Sequence, residues 1–130
     1  MSDRYLYRAK HIHVLPRNEH LDGTWVIGYL SGEHYISNED GEYLIDPSTI
    51  CQCVGLPDKN GKYLYEKDII KSKDGSMGIV TFGVFGTNNI GFSVKWFYGQ
   101  HYRHEIGYWA SKVEVIGNAI DNPELLEVGE

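Results

Sequence analysis

The chain has 130 residues, enough for one domain that buries roughly two-thirds of the surface exposed by its unfolded form, with no need of a metal or disulfide to fold. Its 18 acidic and 12 basic side chains leave a net charge of −6, which works against a phosphate-backbone binder acting through clustered Lys and Arg. No apolar run reaches the length of about 18 residues that a membrane-spanning helix needs, and no apolar stretch of a secretory signal follows Met1, so a cytoplasmic location and no membrane partner are expected.

Fifteen Gly, ten Tyr, four Phe and three Trp exceed what a helical protein of this length carries, and they point to turn-rich β structure. Charge is spread unevenly along the chain. Arg4, Arg8, Lys10 and Arg17 oppose only Asp3 in residues 1–17, whereas residues 18–54 hold seven acids and no Lys or Arg. Such an arm and acidic segment suit a basic partner or contact with another subunit. The simpler reading is solvated strand edges and turns, whose charges resist edge-to-edge aggregation.

Strand signals recur from residue 24 onward. Thr24–Leu30 is short, β-branched and aromatic, and Asp22-Gly23 makes a turn before it. Glu33–Ser37 and Tyr43–Ile45 flank Asn38-Glu39-Asp40-Gly41, whose residues tolerate the left-handed conformation of a hairpin turn, so a β-meander is expected. Residues 48–54 read as a strand with Ile50, Gln52 and Val54 on one face and Thr49, Cys51 and Cys53 on the other. The two cysteines, one residue apart, match neither a disulfide framework nor a Cys-x-x-Cys pair, and are expected as small buried side chains.

Asp58-Lys59-Asn60-Gly61 is the strongest turn signal in the chain. Tyr63–Lys71 follows as one strand, Lys73-Asp74-Gly75 reverses the chain, and Met77–Phe85 pairs back. Gly91–Tyr98 alternates, with Phe92, Val94, Trp96 and Tyr98 on one side and Ser93 and Lys95 on the other. Val113–Ile116 could end a helix starting near Trp109, but its β-branched run and the Gly117-Asn118 stop favour a strand. Asn122 is placed to cap a short C-terminal helical turn that has Pro123 at its start and docks through Leu125 and Leu126. The expected architecture is one mainly β domain over residues 1–130, a small antiparallel barrel or two packed sheets.

Three of these segments carry a family resemblance. Arg8-Ala9-Lys10 with Asp22–Tyr29, then Asp46–Thr49 with Gly55–Lys62 and Tyr65–Ile70, then Val115–Asn118 with Asn122–Leu126, resemble in order the motifs of the YopX family of phage and prophage proteins. Lys67 stands where the family usually has Gly, and Val54 where it usually has Thr. The resemblance implies an SH3-like barrel around the Tyr-Glu-x-Asp-Ile-Ile strand, encoded by a phage or prophage and acting in a bacterial cytoplasm. It implies no activity.

Candidate chemistry is sparse. His11 and His13 share a strand face, and His101, His104 and Glu105 cluster, yet neither set has a helical His-Glu-x-x-His or zinc-finger spacing, so no metal or other cofactor is expected. The sequence lacks a Gly-x-Ser-x-Gly elbow, a phosphate loop and a dinucleotide fingerprint, and Gly83 and Gly86 of Thr81–Asn89 read as hairpin glycines. These absences favour a non-enzymatic module over a metal-dependent enzyme.

The most suggestive stretch is residues 95–109, where Lys95, His101, Arg103 and His104 interleave with Trp96, Phe97, Tyr98, Tyr102, Tyr108 and Trp109. Such side chains pack cores, anchor protein interfaces or stack on bases, and packing is the simplest reading for Trp96 and Tyr98, given their alternation. Trp25, Tyr98, Tyr102, Arg103, His104 and Trp109 are therefore the candidate interaction residues. A protein partner or a homo-oligomer is the leading expectation, and a nucleic-acid-binding barrel that also uses Arg4, Arg8 and Lys10 is the alternative.

Overall fold

The computed structural model of the chain describes residues 6–12, 23–85, 89–99, 101 and 103–127. Arg4, His13, Arg17, Glu19, Asp22, Gly86 and Tyr102, which figured in the sequence reading, lie outside the described residues. Contacts divide the chain into two compact units, Met1–Cys53 and Val54–Glu130, and the division falls within a single strand. The fold is mainly β, with two antiparallel sheets. Among the described residues no helix is long and apolar enough to cross a membrane.

The first unit holds β1 (Tyr7–Lys10), β2 (Trp25–Leu30), β3 (Tyr35–Asn38), β4 (Gly41–Leu44) and the start of β5 (Cys51–Pro57), in the order β4-β3-β2-β1-β5. The expected meander is present: β3 pairs with β4 from Tyr35↔Leu44 to Asn38↔Gly41. The Asn38 side chain closes the turn by accepting from the Asp40 N–H and donating to the Ile27 carbonyl. Alternation buries Val26 and leaves Ile27 half exposed, and Val26 packs with Ala9, Ile36 and Ile45 as the core of this unit. Gly28 is demanded by proximity, since a Cβ there would meet the Ser37 carbonyl oxygen at 2.3 Å.

The strand predicted over 48–54 starts later, at Cys51. Asp46 accepts from the Ser48 N–H at 3.0 Å, and Pro47 supplies a preset φ, so Pro47–Thr49 forms a 3₁₀ turn instead. Cys51 and Cys53 are fully buried thiols, as expected.

The second unit continues β5 and adds β6 (Tyr63–Tyr65), β7 (Asp68–Ser72), β8 (Met77–Phe85), β9 (Asn89–Tyr98), the one-turn helix α1 (Ile106–Trp109) and β10 (Val113–Asn118). Its main sheet runs β10-β7-β8-β9. The strand favoured over 113–116 is thus present, and the short helix precedes it, followed by a 3₁₀ turn at Ala110–Lys112. Val54, Leu64, Ile70, Val80, Val94, Ile106, Trp109, Ala110 and Val113 form the core of this unit.

Among the described residues the sheets do not close into a barrel. The sheet that contains the Asp68-Ile69-Ile70 strand is open, with β9 and β10 as its two edges and no ladder joining them. Nor is Tyr63–Lys71 one strand: it breaks at Lys67, whose φ of 72° no strand tolerates. Lys67 takes the left-handed conformation that Gly adopts most readily. It is held there by an N–H donated to the Val80 carbonyl at 2.8 Å and a carbonyl that accepts from the Ala119 N–H at 2.9 Å.

At the C-terminus the turn Pro123–Glu127 is 3₁₀, and Asn122 does something other than the expected capping. Its Oδ1 accepts from the Asn118 N–H at 3.2 Å, while its carbonyl accepts from the Leu125 N–H. Gly117 makes room for this, because a Cβ there would meet Asn122 Oδ1 at 2.6 Å and Leu125 Cδ1 at 2.9 Å.

Candidate functional site

The aromatic segment was the sequence's best candidate surface, and most of it folds inward. Trp109 ends α1 and is 8% exposed. Its Nε1 donates to the Arg103 carbonyl at 2.9 Å, and Trp96 Nε1 donates to the same oxygen at 3.2 Å. The two rings meet edge to face at 4.9 Å, and His101 lies against both, 4.6 Å from Trp96 and 4.5 Å from Trp109. The loop leading to α1 is therefore pinned on β9 through side chains as well as backbone, with Val94 N–H donating to the His104 carbonyl at 2.7 Å.

Of the remaining candidates, His104 places Nδ1 3.1 Å from the Val94 carbonyl and is half-buried. Arg103 and Lys112 are exposed and lay their cations on the Tyr108 ring, at 4.5 and 4.2 Å from its centre. Tyr98 is exposed, contrary to simple alternation with Trp96, because the ladder slips there: Met77 pairs with Tyr98 but Gly78 with Trp96. Phe97 is the extra residue of that bulge, and it turns Tyr98 away from the core side. Trp25, in the first unit, carries the Arg8 guanidinium at 4.6 Å and the Lys10 ammonium at 4.5 Å over its ring. Arg103, His104 and Trp109 thus gather with Trp96 and His101 around one end of β9.

Two features escaped the sequence reading. The first is the far end of the β8–β9 hairpin. Val80↔Val94, Phe82↔Phe92 and Val84↔Ile90 are successive pairs on one face. Val80 and Val94 are buried, whereas Phe82 is 53% exposed and Val84 and Ile90 are each 74% exposed. The apolar alternation was visible in the sequence, but nothing in it marked where the cover over this face would end.

The second is a cleft of about 400 Å³ lined by Lys59, Ser72, Lys73, Asp74, His101, Trp109 and Lys112. Asp74 sits in the tight turn between β7 and β8. It accepts from the Ser72 hydroxyl and from the Ser76 N–H, and its Oδ2 lies 3.2 Å from His101 Nε2. The hydrogen bonds from Ser72 and Ser76, aided by the charge of His101, hold the Asp74 carboxyl well below the ordinary carboxylate range. His101 Nε2 is buried and makes no proper hydrogen bond to Asp74 despite lying beside it. The cleft was illegible in the sequence because its three lysines come from three separate segments.

The motif residues have structural work. Asp58 is 5% exposed, and its Oδ1 accepts from the Asn60 and Lys62 N–H groups, both at 2.9 Å. Its Oδ2 accepts from the Val115 N–H at 3.0 Å, fastening the turn to β10. Burial alone would raise its pKa, but the three N–H donors and the Lys62 charge outweigh it and lower the value. Asp68, fully buried, accepts from the Tyr65 N–H at 2.8 Å across the Lys67 break. Asn118 accepts from the Ile120 and Asp121 N–H groups at 3.0 and 2.8 Å. Among the described residues, no three His, Cys, Asp or Glu side chains converge as metal ligands would. His11, one of the histidines weighed for metal, is buried edge-on against Tyr43 at 5.5 Å.

Comparison with known proteins agrees with these motifs. The family described as YopX protein matches residues 10–127, a span that crosses both compact units. No curated protein matches the chain.

Proposed function

The chain belongs to the YopX family, and we propose that it is a phage- or prophage-encoded, non-enzymatic interaction module of the bacterial cytoplasm that pairs with a second copy of itself. One observation carries this reading: the exposed apolar face at the end of the β8–β9 hairpin, built from Phe82, Val84 and Ile90 beside half-buried Phe92. Exposed apolar patches of this kind mark association sites.

A second copy suits the face for two reasons. The four side chains carry no charge, so the meeting of two copies there brings no like-charged side chains of this patch into direct contact. And β9 is a sheet edge. Because the Val94 N–H points outward to His104, the backbone groups of Phe92 and Ile90, two and four residues away, also point outward. Beyond the bridge between Ser93 and Glu105 they have no strand beside them among the described residues. Antiparallel addition of a two-fold-related β9 would satisfy them and set the two apolar faces side by side on one continuous sheet, where their side chains meet across the two-fold.

The nucleic-acid alternative has weaker support. Trp96 and Trp109 spend their rings and N–H groups inside the unit, and Arg8 and Lys10 lie on Trp25. Sedimentation or light scattering over a concentration series tests the proposal. A dimer that Val84→Glu and Ile90→Glu each convert to a folded monomer is expected, and a wild-type chain that stays monomeric at high concentration overturns it.

A further inference from the structure

We infer that the cleft between the β7–β8 turn and the end of α1 is a binding site for a small organic phosphate, a role independent of the self-association proposed above. Three ammonium groups, those of Lys59, Lys73 and Lys112, line it in a chain whose acids outnumber its bases by 18 to 12. The cleft thus inverts the sign of the protein's overall charge, and clustered cations of this kind recruit anions.

The one carboxylate in the lining, Asp74, offsets one of the three charges and leaves the lysines in excess. Asp74 has its Oδ1 taken by Ser72 and Ser76 and its Oδ2 turned to His101. Among the described residues Lys59 and Lys73 have no carboxylate partner, so their charge is available to a ligand. Lys112 is oriented by donating to the Tyr108 carbonyl at 2.9 Å, with its ammonium over the Tyr108 ring.

The class of anion follows from charge and shape. Lysine binds phosphoryl oxygens as a point charge, and three of them match a phosphoryl dianion better than a single carboxylate. Trp109 gives the cleft an apolar wall, and its ring is immobilised by the Arg103 carbonyl and by contacts with Trp96 and His101. A volume of about 400 Å³ admits a phosphoryl group together with a ring-sized apolar body. The Ser72–Asp74–Ser76 hydrogen bonds keep the turn that carries Lys73 in one conformation, so little ordering is left for the ligand to impose.

Calorimetric titration of the full chain in a phosphate-free buffer tests this with three probes: phenyl phosphate, inorganic phosphate and phenol. Saturable binding of phenyl phosphate is expected, with inorganic phosphate weaker and phenol silent. The double variant Lys59→Ala/Lys73→Ala should lower the affinity about tenfold or more while circular dichroism stays that of the wild type. If inorganic phosphate binds as tightly as phenyl phosphate, the site reads an oxyanion alone and the organic part of the inference is wrong. Absence of saturable binding at millimolar concentration, or affinity unchanged in the lysine variant, overturns the site altogether. Titrating a Val84→Glu monomer in parallel separates this result from any effect of self-association.

Discussion

The two ends of the β8–β9 hairpin are built from the same kinds of residue and meet opposite fates. At the Gly78 end, Val80, Val94 and Trp96 lie beneath α1 and the loop that Arg103 pins in place. At the far end, Phe82, Val84 and Ile90 continue the same face with nothing over them among the described residues. Apolar alternation therefore specifies a face and leaves open whether the chain itself will cover it. The cover comes from a segment ten or more residues further on, which follows β9 back along its outer edge only as far as the bridge between Ser93 and Glu105.

The sharpest break in this comparison is Trp109→Ala, which removes the centre of the cover. It should cost about 3–5 kcal/mol in denaturant unfolding, since the ring is buried and its N–H satisfies a carbonyl shared with Trp96.

Asp58→Ala should cost less, about 2–3 kcal/mol, by orphaning the Val115 N–H and loosening the turn onto β10. It should also flatten the acid limb of the stability profile. The folded pKa of Asp58 lies below the ordinary carboxylate value of 3.8. Its contribution is therefore complete above that value and is lost as pH falls below it, through the folded pKa. Wild-type stability measured from pH 5 downward should fall more steeply than that of the variant.

Lys67→Gly should act in the opposite direction and stabilise by about 0.5–1 kcal/mol, because a side chain at φ 72° is relieved of strain that exceeds the added freedom of the unfolded glycine. Thermal melts of the pair decide the sign. The smallest effect on folding belongs to the uncovered end of the hairpin: Val84→Glu should change stability by less than about 0.5 kcal/mol while abolishing the dimer. A loss comparable to that of Trp109→Ala would mean that the hairpin end is core after all.

Much of the local structure was legible in the residues. The Asn38–Gly41 and Asp58–Gly61 turns, the β2 and β8 strands, the burial of both cysteines and the strand after α1 all follow from side-chain shape and short-range hydrogen bonding. The misplaced strand start at Cys51 was recoverable, since Asp46-Pro47-Ser48 is a capping sequence. Lys67 was a different matter. Its left-handed backbone is imposed by bonds to Val80 and Ala119, partners 13 and 52 residues away, and a lysine by itself argues against that conformation.

The sequence by itself determined a β-rich chain, the positions of most reversals and membership of the YopX family, because alternation and turn chemistry are properties of neighbouring residues. Only the tertiary structure decided that the second sheet stays open, that Trp109 faces inward while Tyr98, Phe82 and Val84 do not, and that Lys59, Lys73, His101 and Lys112 share one cleft. Those outcomes depend on which distant segment comes to lie over a given face, and the local preferences of a chain carry no record of that.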